Sequence, residues 1–363
     1  MRWTTFSSFV LASVYGAVSA AAASPSACVS FDINWNLLAF GFNGKDYNAG
    51  TQDTWTSNTP PTDITTTGRP PFNSVNTTCY LSQFTNAIYV LNADTANPAA
   101  IYIYDATAKS WSMQAVDAGK FDPTDFATIL DHDTNVFYSY SKGEMFSLDM
   151  QLLKAAQSAP IPWNDVQQPD LSADQASSAG VPGANTAGYQ PVMALAQNHV
   201  HFLGVPGFPA GSAKIFVIHF SFMQPELQNY GTPFPSTHGQ AASFFLDQGV
   251  QQEFAFIPDD GSNTYVINVE TNTTKTLTGP LVKDPFSTYS ASTTALVQLS
   301  SDGNVAFLGY DPKVTMSGGT WTAISKLPNA LSTTGSGTGS SGSGTGSNGG
   351  SGSGSGNGTQ TNA

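Results

Sequence analysis

The chain has 363 residues, 40% of them hydrophobic and 10% charged, with 25 acidic against 12 basic side chains and a formal charge of −13. The acidic excess excludes nucleic acid and anionic lipid as partners, because both are held through clustered Lys and Arg. Aromatics at 12%, with 34 Gly and 22 Pro, suit an all-β chain of many short strands joined by turns.

In chain order, the first element is a leader. Met1-Arg2 supplies a short positive region, and Phe9 to Val18 an apolar run too short to span a bilayer. Val18-Ser19-Ala20 then fits a cleavage signature. Residues 1–20 are therefore predicted to be a signal peptide, and the mature chain to be extracellular with no transmembrane segment.

From residue 28 to about 328 the sequence repeats itself. An Asn or Gln closing a polar turn is followed by an apolar, aromatic run. The copies are Asn36-Leu37-Leu38-Ala39-Phe40, Asn86-Ala87-Ile88-Tyr89-Val90, Asn135-Val136-Phe137-Tyr138, Asn198-His199-Val200-His201-Phe202, Gln252-Glu253-Phe254-Ala255-Phe256 and Asn304-Val305-Ala306-Phe307-Leu308, at spacings of 50, 49, 63, 54 and 52. A strand-like run precedes each copy: 29–31, 78–81, 127–130, 192–195, Ser243-Phe244-Phe245-Leu246 and Ala295-Leu296-Val297. Third runs follow at 100–105, 145–149, 215–218 and 264–267. Shorter fourth runs follow at Ser110-Trp111-Ser112-Met113, Pro162-Trp163-Asn164 and Thr320 to Ile324.

A period near 50 with four strands per unit predicts a single β-propeller of six four-stranded blades, seven being the alternative count. The six Asn/Gln turns are expected on one face. Inner strands covered on both sides should read as continuous apolar runs.

Tyr104-Asp105-Ala106-Thr107-Ala108-Lys109-Ser110-Trp111 resembles the third-to-fourth-strand segment of kelch repeats, in the propellers related to galactose oxidase, and Val269-Glu270-Thr271-Asn272 echoes it. The double glycine of kelch repeats is absent from every copy. The chain as a whole also resembles secreted fungal propeller proteins of unknown activity with a Ser/Gly-rich end. Residues 331–363, with twelve Gly and no charged side chain, form such an end and are expected to be a disordered tail.

Cys28 lies eight residues before Asn36 and Cys79 seven before Asn86, so the two cysteines occupy matching places on the first strands of neighbouring blades. In an exported chain an even pair at such places is expected to form a disulfide. Sequons at Asn76, Asn272 and Asn357 are expected to carry N-glycans.

Little in the sequence marks catalysis. A copper-radical oxidase, as galactose oxidase kinship would imply, needs a Cys free to crosslink to Tyr, and both cysteines are committed. His199 and His201 share one side of a strand, yet no spacing supplies a third ligand, and Asp131-His132-Asp133 reads as a hairpin turn. No cofactor or metal is expected.

Ligands of propellers, by resemblance, meet the face of the second-to-third-strand loops. Here those loops are taken as 43–47, 91–94, 258–261 and 310–312, joined by the long connection from Val166 to Gly188. They place Asp46, Tyr47, Asp94, Asp259, Asp260 and Asp311 as candidate ligand contacts. The reading is a monomeric, non-catalytic extracellular or cell-wall protein binding carbohydrate or another protein. The alternative is a secreted carbohydrate-active hydrolase or lyase.

Overall fold

The computed structural model describes residues 25–171, 188–231, 233–314 and 318–331. The expected signal peptide, the tail beyond Leu331, the Asn357 sequon and most of the 166–188 connection lie outside these residues.

Six antiparallel sheets follow one another along the chain as four-stranded blades, the fourth blade completed by two short strands and the third skipping one short strand that pairs elsewhere. Blade 1 comprises Cys28–Phe31, Leu37–Phe42, Lys45–Asn48 and Thr62–Asp63, and blade 2 comprises Thr78–Ser82, Ala87–Leu91, Ile101–Asp105 and Ser110–Gln114. Blade 3 comprises Ala127–Asp131, Val136–Ser141, Glu144–Asp149 and Asn164–Gln167. In blade 4, Val192–Ala196, His199–Leu203 and Ser212–Val217 are completed by two short strands, Phe222–Met223 and Gln228–Asn229. Blade 5 comprises Gly239–Ser243, Glu253–Pro258, Asn263–Asn268 and Thr273–Thr278. Blade 6 comprises Thr288–Ala291, Ala295–Leu299, Val305–Gly309 and Thr322–Ala323.

The innermost strands of blades 6 and 1 lie side by side, so the ring closes, and among the described residues no strand is exchanged between them. Two side chains and a backbone hydrogen bond hold that seam. The Trp55 ring meets Phe307 edge-on at 5.0 Å, Lys326 Nζ donates to the Ala49 carbonyl at 2.9 Å, and the Asn43 N–H donates to the Ala330 carbonyl at 3.2 Å. Cys28 and Cys79 form a disulfide across the inner strands of blades 1 and 2, with Cα atoms 5.8 Å apart. Blades 2 and 3 are joined by Tyr89, whose hydroxyl donates to the Leu153 carbonyl at 2.6 Å and accepts from Asn135 Nδ2 at 2.8 Å.

The repeat signature has a backbone origin. Asn86, Asn135 and Asn198 sit at φ 54°, 58° and 56° in the turns between first and second strands. Asn tolerates that left-handed conformation better than other side-chain-bearing residues. The segment 104–111 and its echo at 269–272 turn the same way in two blades: Asp105 Oδ1 accepts the Thr107 and Ala108 N–H groups, and Asn268 Oδ1 those of Glu270 and Thr271.

Three strand assignments differ from expectation. The first strand of blade 5 is Gly239–Ser243, not the run through Phe244 and Phe245. In blade 6 Ala295–Leu299 is the second strand, preceded by Thr288–Ala291, so Asn304 closes the turn between strands two and three and lies on the face opposite the other five repeat turns. Ile161–Pro162 pairs in parallel with Val116–Asp117 outside the blades, leaving Asn164–Gln167 as the fourth strand of blade 3. The first two have one cause. Inner strands border a channel and carry small or polar residues on that side, whereas the continuous apolar runs are the second strands, buried on both faces.

Candidate functional site

The six inner strands enclose a central channel of about 1240 Å³. Each inner strand starts at the face carrying the blade-to-blade connections and the turns between strands two and three. It ends at the face carrying the first-to-second-strand turns.

At this second face the channel is blocked. Phe245, in the turn after the inner strand of blade 5, is buried, with its ring centroid 5.3 Å from Trp35 of blade 1 and 4.3 Å from His132 of blade 3. Burial pushes the His132 imidazole down to about 4 and so keeps it neutral against the ring, with a backbone hydrogen bond at Leu81 pulling the other way. Neighbouring turns are stitched together here: the Ile33 N–H donates to Asn86 Oδ1 at 3.1 Å, and Asn198 Nδ2 to Asp133 Oδ2 at 2.7 Å.

Among the described residues, the wall between the faces carries no Asp, Glu, Lys or Arg, and much of it is apolar, as at Val29, Ile129 and Met193. It offers hydroxyls and amides (Ser30, Thr78, Thr128, Gln240, Ser243, Thr288, Ser290) beside the rings of Tyr80, Tyr140, Tyr189 and Tyr289. Desolvation pushes Tyr80 up to about 12 and raises Tyr189 and Tyr289 as well, so these phenols stay neutral donors. The Tyr80 hydroxyl bridges blades 2 and 3 by donating to the Thr128 carbonyl at 3.2 Å.

Charge appears at the open rim, in two groups. On blade 3, Lys142 Nζ lies 2.5 Å from Asp122 Oδ2, and that bond together with Thr124 holds the Asp122 carboxyl down at about 2; Asp125 stands beside them. On blade 5, His238 Nδ1 meets both Asp259 carboxylate oxygens, at 3.0 and 2.9 Å.

The six candidate contacts scatter. Asp259 lines the rim and Asp260 caps the adjoining turn by accepting the Ser262 N–H at 2.9 Å. Asp94 is buried in the corresponding turn of blade 2, accepting from Tyr102, Asn97 and Ala96, bonds that lower its pKa. Asp46 and Tyr47 belong to the third strand of blade 1. Asp46 is fully buried, bound by the Arg69 guanidinium at 2.7 and 2.9 Å and by the Gly41 N–H. Because blade 6 is shifted by one strand, Asp311 falls between its third and fourth strands, on the blocked face. Channel-lining residues on the inner strands, such as Gln240 and Ser290, were not singled out from sequence. Their one signal was polarity inside a strand-length segment at the right phase of the repeat.

His201 is buried among Tyr230 and Phe254, its pKa pushed down to about 3, while His199 is only partly covered. Among the described residues no group of three His, Cys, Asp or Glu side chains could hold a metal ion. Nor is any helix among them long and apolar enough to cross a membrane.

No family model and no curated protein matches the chain. Among solved structures, it is similar to PorZ, an essential bacterial surface component of the type-IX secretion system of Porphyromonas gingivalis. The identity is 12% and the TM-score 0.40, over 81% of this chain and 32% of that one. The chain thus spans about a third of that protein's length.

Proposed function

We propose that this chain is an exported, non-catalytic binding protein that receives carbohydrate through the open face of its channel. One observation carries the reading: a large channel whose wall, among the described residues, sets hydroxyls, amides and tyrosine rings among apolar side chains and has its charged groups at the rim. Binding sites fix ligands with a few placed polar groups on a largely apolar lining, and neutral sugars demand hydroxyl and amide partners with flat rings. Of the rim carboxylates, Asp122 and Asp259 are engaged by Lys142 and His238, which leaves Asp125 without a second free acid beside it and favours binding over the paired acids of a glycosidase.

Export is supported by the leader-like residues 1–20 and by the disulfide, a bond that persists in oxidising compartments. The exposed sequons Asn76 and Asn272 fit the same compartment. The Asp105 and Asn268 turns support the kelch-like resemblance, and the Gly/Ser-rich end supports a place among secreted, wall-associated propeller proteins.

A glycan array probed with the secreted protein, followed by incubation with each hit, tests the proposal. Retention of one or more neutral glycans without release of new reducing ends is expected. Release of reducing ends would move the chain to the secreted hydrolases or lyases. Retention of no glycan would overturn the carbohydrate reading and leave an extracellular protein as the ligand to be sought.

A further inference from the structure

We infer that the channel is a blind cup, and that it takes the terminus rather than the interior of a neutral polyhydroxylated chain. The inference rests on the carbohydrate reading above and adds to it which part of the polymer is recognised.

The geometry of the seal comes first. Trp35, His132 and Phe245 belong to blades 1, 3 and 5, alternate members of a six-blade ring. Side chains from alternate blades can meet only across the axis, and Phe245 lies 5.3 Å from one and 4.3 Å from the other. The contact therefore stands on the axis itself and closes the channel there. Phe245 is 7% exposed and packs into the same apolar cluster as the inner strand of blade 1, although it comes from blade 5.

Exposure along three of the six inner strands agrees with a single entrance. In Thr78–Ser82, Ala127–Asp131 and Thr288–Ala291, the residues nearest the open rim are half-buried and those nearest the seal are buried, whereas Cys28–Phe31 and Val192–Ala196 are buried throughout and Gly239–Ser243 runs the other way. A tunnel open at both ends would expose both ends of these strands.

The wall selects the chemistry. Between rim and seal a ligand meets hydroxyl, amide and phenol groups that are neutral at ordinary pH, so a charged chain would lose its hydration without gaining an ion partner. A neutral sugar chain keeps hydrogen-bond partners for its hydroxyls. It must enter end-on, because the seal stops it from threading through.

The test is a titration with a ladder of neutral oligosaccharides of the array-selected linkage, from the monosaccharide upward, together with a cyclic oligomer of the same sugar that has no ends. Affinity should rise over the first few units, as the cup fills, and then stay flat. The cyclic oligomer should bind about tenfold more weakly, or not at all. Affinity that climbs for as long as the ladder continues, or a cyclic oligomer as tight as its linear counterpart, would overturn the blind cup and leave carbohydrate binding standing. If no ladder member binds, the carbohydrate reading falls, and this inference falls with it.

Discussion

Single residues decide how firmly the ring is held. Cys28–Cys79 ties adjacent inner strands across a sequence separation of 51. Replacing both cysteines by serine should cost about 2–5 kcal/mol, read as a lower urea midpoint with a somewhat larger m-value, because the uncrosslinked unfolded chain is less compact. The opposite result, equal midpoints, would mean that blade packing alone fixes the first seam. His201 sets a pH dependence. Its imidazole would take a proton near 6.5 in the unfolded chain but only near 3 in the fold, because burial disfavours the cation. Between those values the unfolded chain binds the extra proton, so stability contributed by the neutral imidazole is present near pH 7 and drains away as the pH falls. His201→Phe should therefore lose less stability than the wild type between pH 7 and pH 4, measured by urea unfolding at both. Equal losses would contradict the buried, neutral imidazole. Of these features, the cysteine pair was legible from repeat phase together with the leader-like N-terminus. The burial of His201 was not, since strand alternation gives the side but not whether that side is covered.

At the scale of the strand, the first and second strands of a blade look alike in sequence yet meet different surroundings. Second strands such as Ala87–Leu91, Glu253–Pro258 and Ala295–Leu299 are buried on both faces and stand out as apolar runs. Inner strands such as Gly239-Gln240-Ala241-Ala242-Ser243 and Thr288-Tyr289-Ser290-Ala291 face the channel on one side and read as linker. Repeat period and blade number were therefore plain in the sequence, whereas the phase of blades 5 and 6, and with it the identity of the channel wall, was hidden by the polarity of the wall itself. Gly239 shows how tightly one inner strand begins. A Cβ there would stand 2.3 Å from the Ile257 carbonyl oxygen and 2.7 Å from the Phe256 ring. Gly239→Ala should cost about 1–3 kcal/mol by overpacking and loosen the rim of blade 5. A thermal melt matching the wild type would show that this pair of strands has slack.

For the whole molecule, closure among the described residues rests on the segment after the last blade, since none of their strands is exchanged between blades 6 and 1. Leu327 and Ala330 are buried in the cluster of blade 1, and Lys326 reaches two of its backbone carbonyls. Deleting residues from Lys326 onward should lower the melting temperature by about 4 °C or more, the expected effect of exposing one buried leucine in a protein of this size. Deleting only from Leu331 onward should leave it nearly unchanged, since that stretch is uncharged, Gly-rich and almost without apolar surface. Equal effects of the two deletions would contradict a closure made by residues 326–330.

The sealed channel as the place of binding is tested most directly by a crystal structure of the protein with the tightest neutral oligosaccharide from the array. The expected result is a sugar chain entering from the face of His238 and Asp259, with its terminal unit deepest, among the hydroxyls of the inner strands and short of Phe245. Sugar bound on the outer edge of a blade or on the face of Trp35, with the channel holding solvent alone, would contradict it.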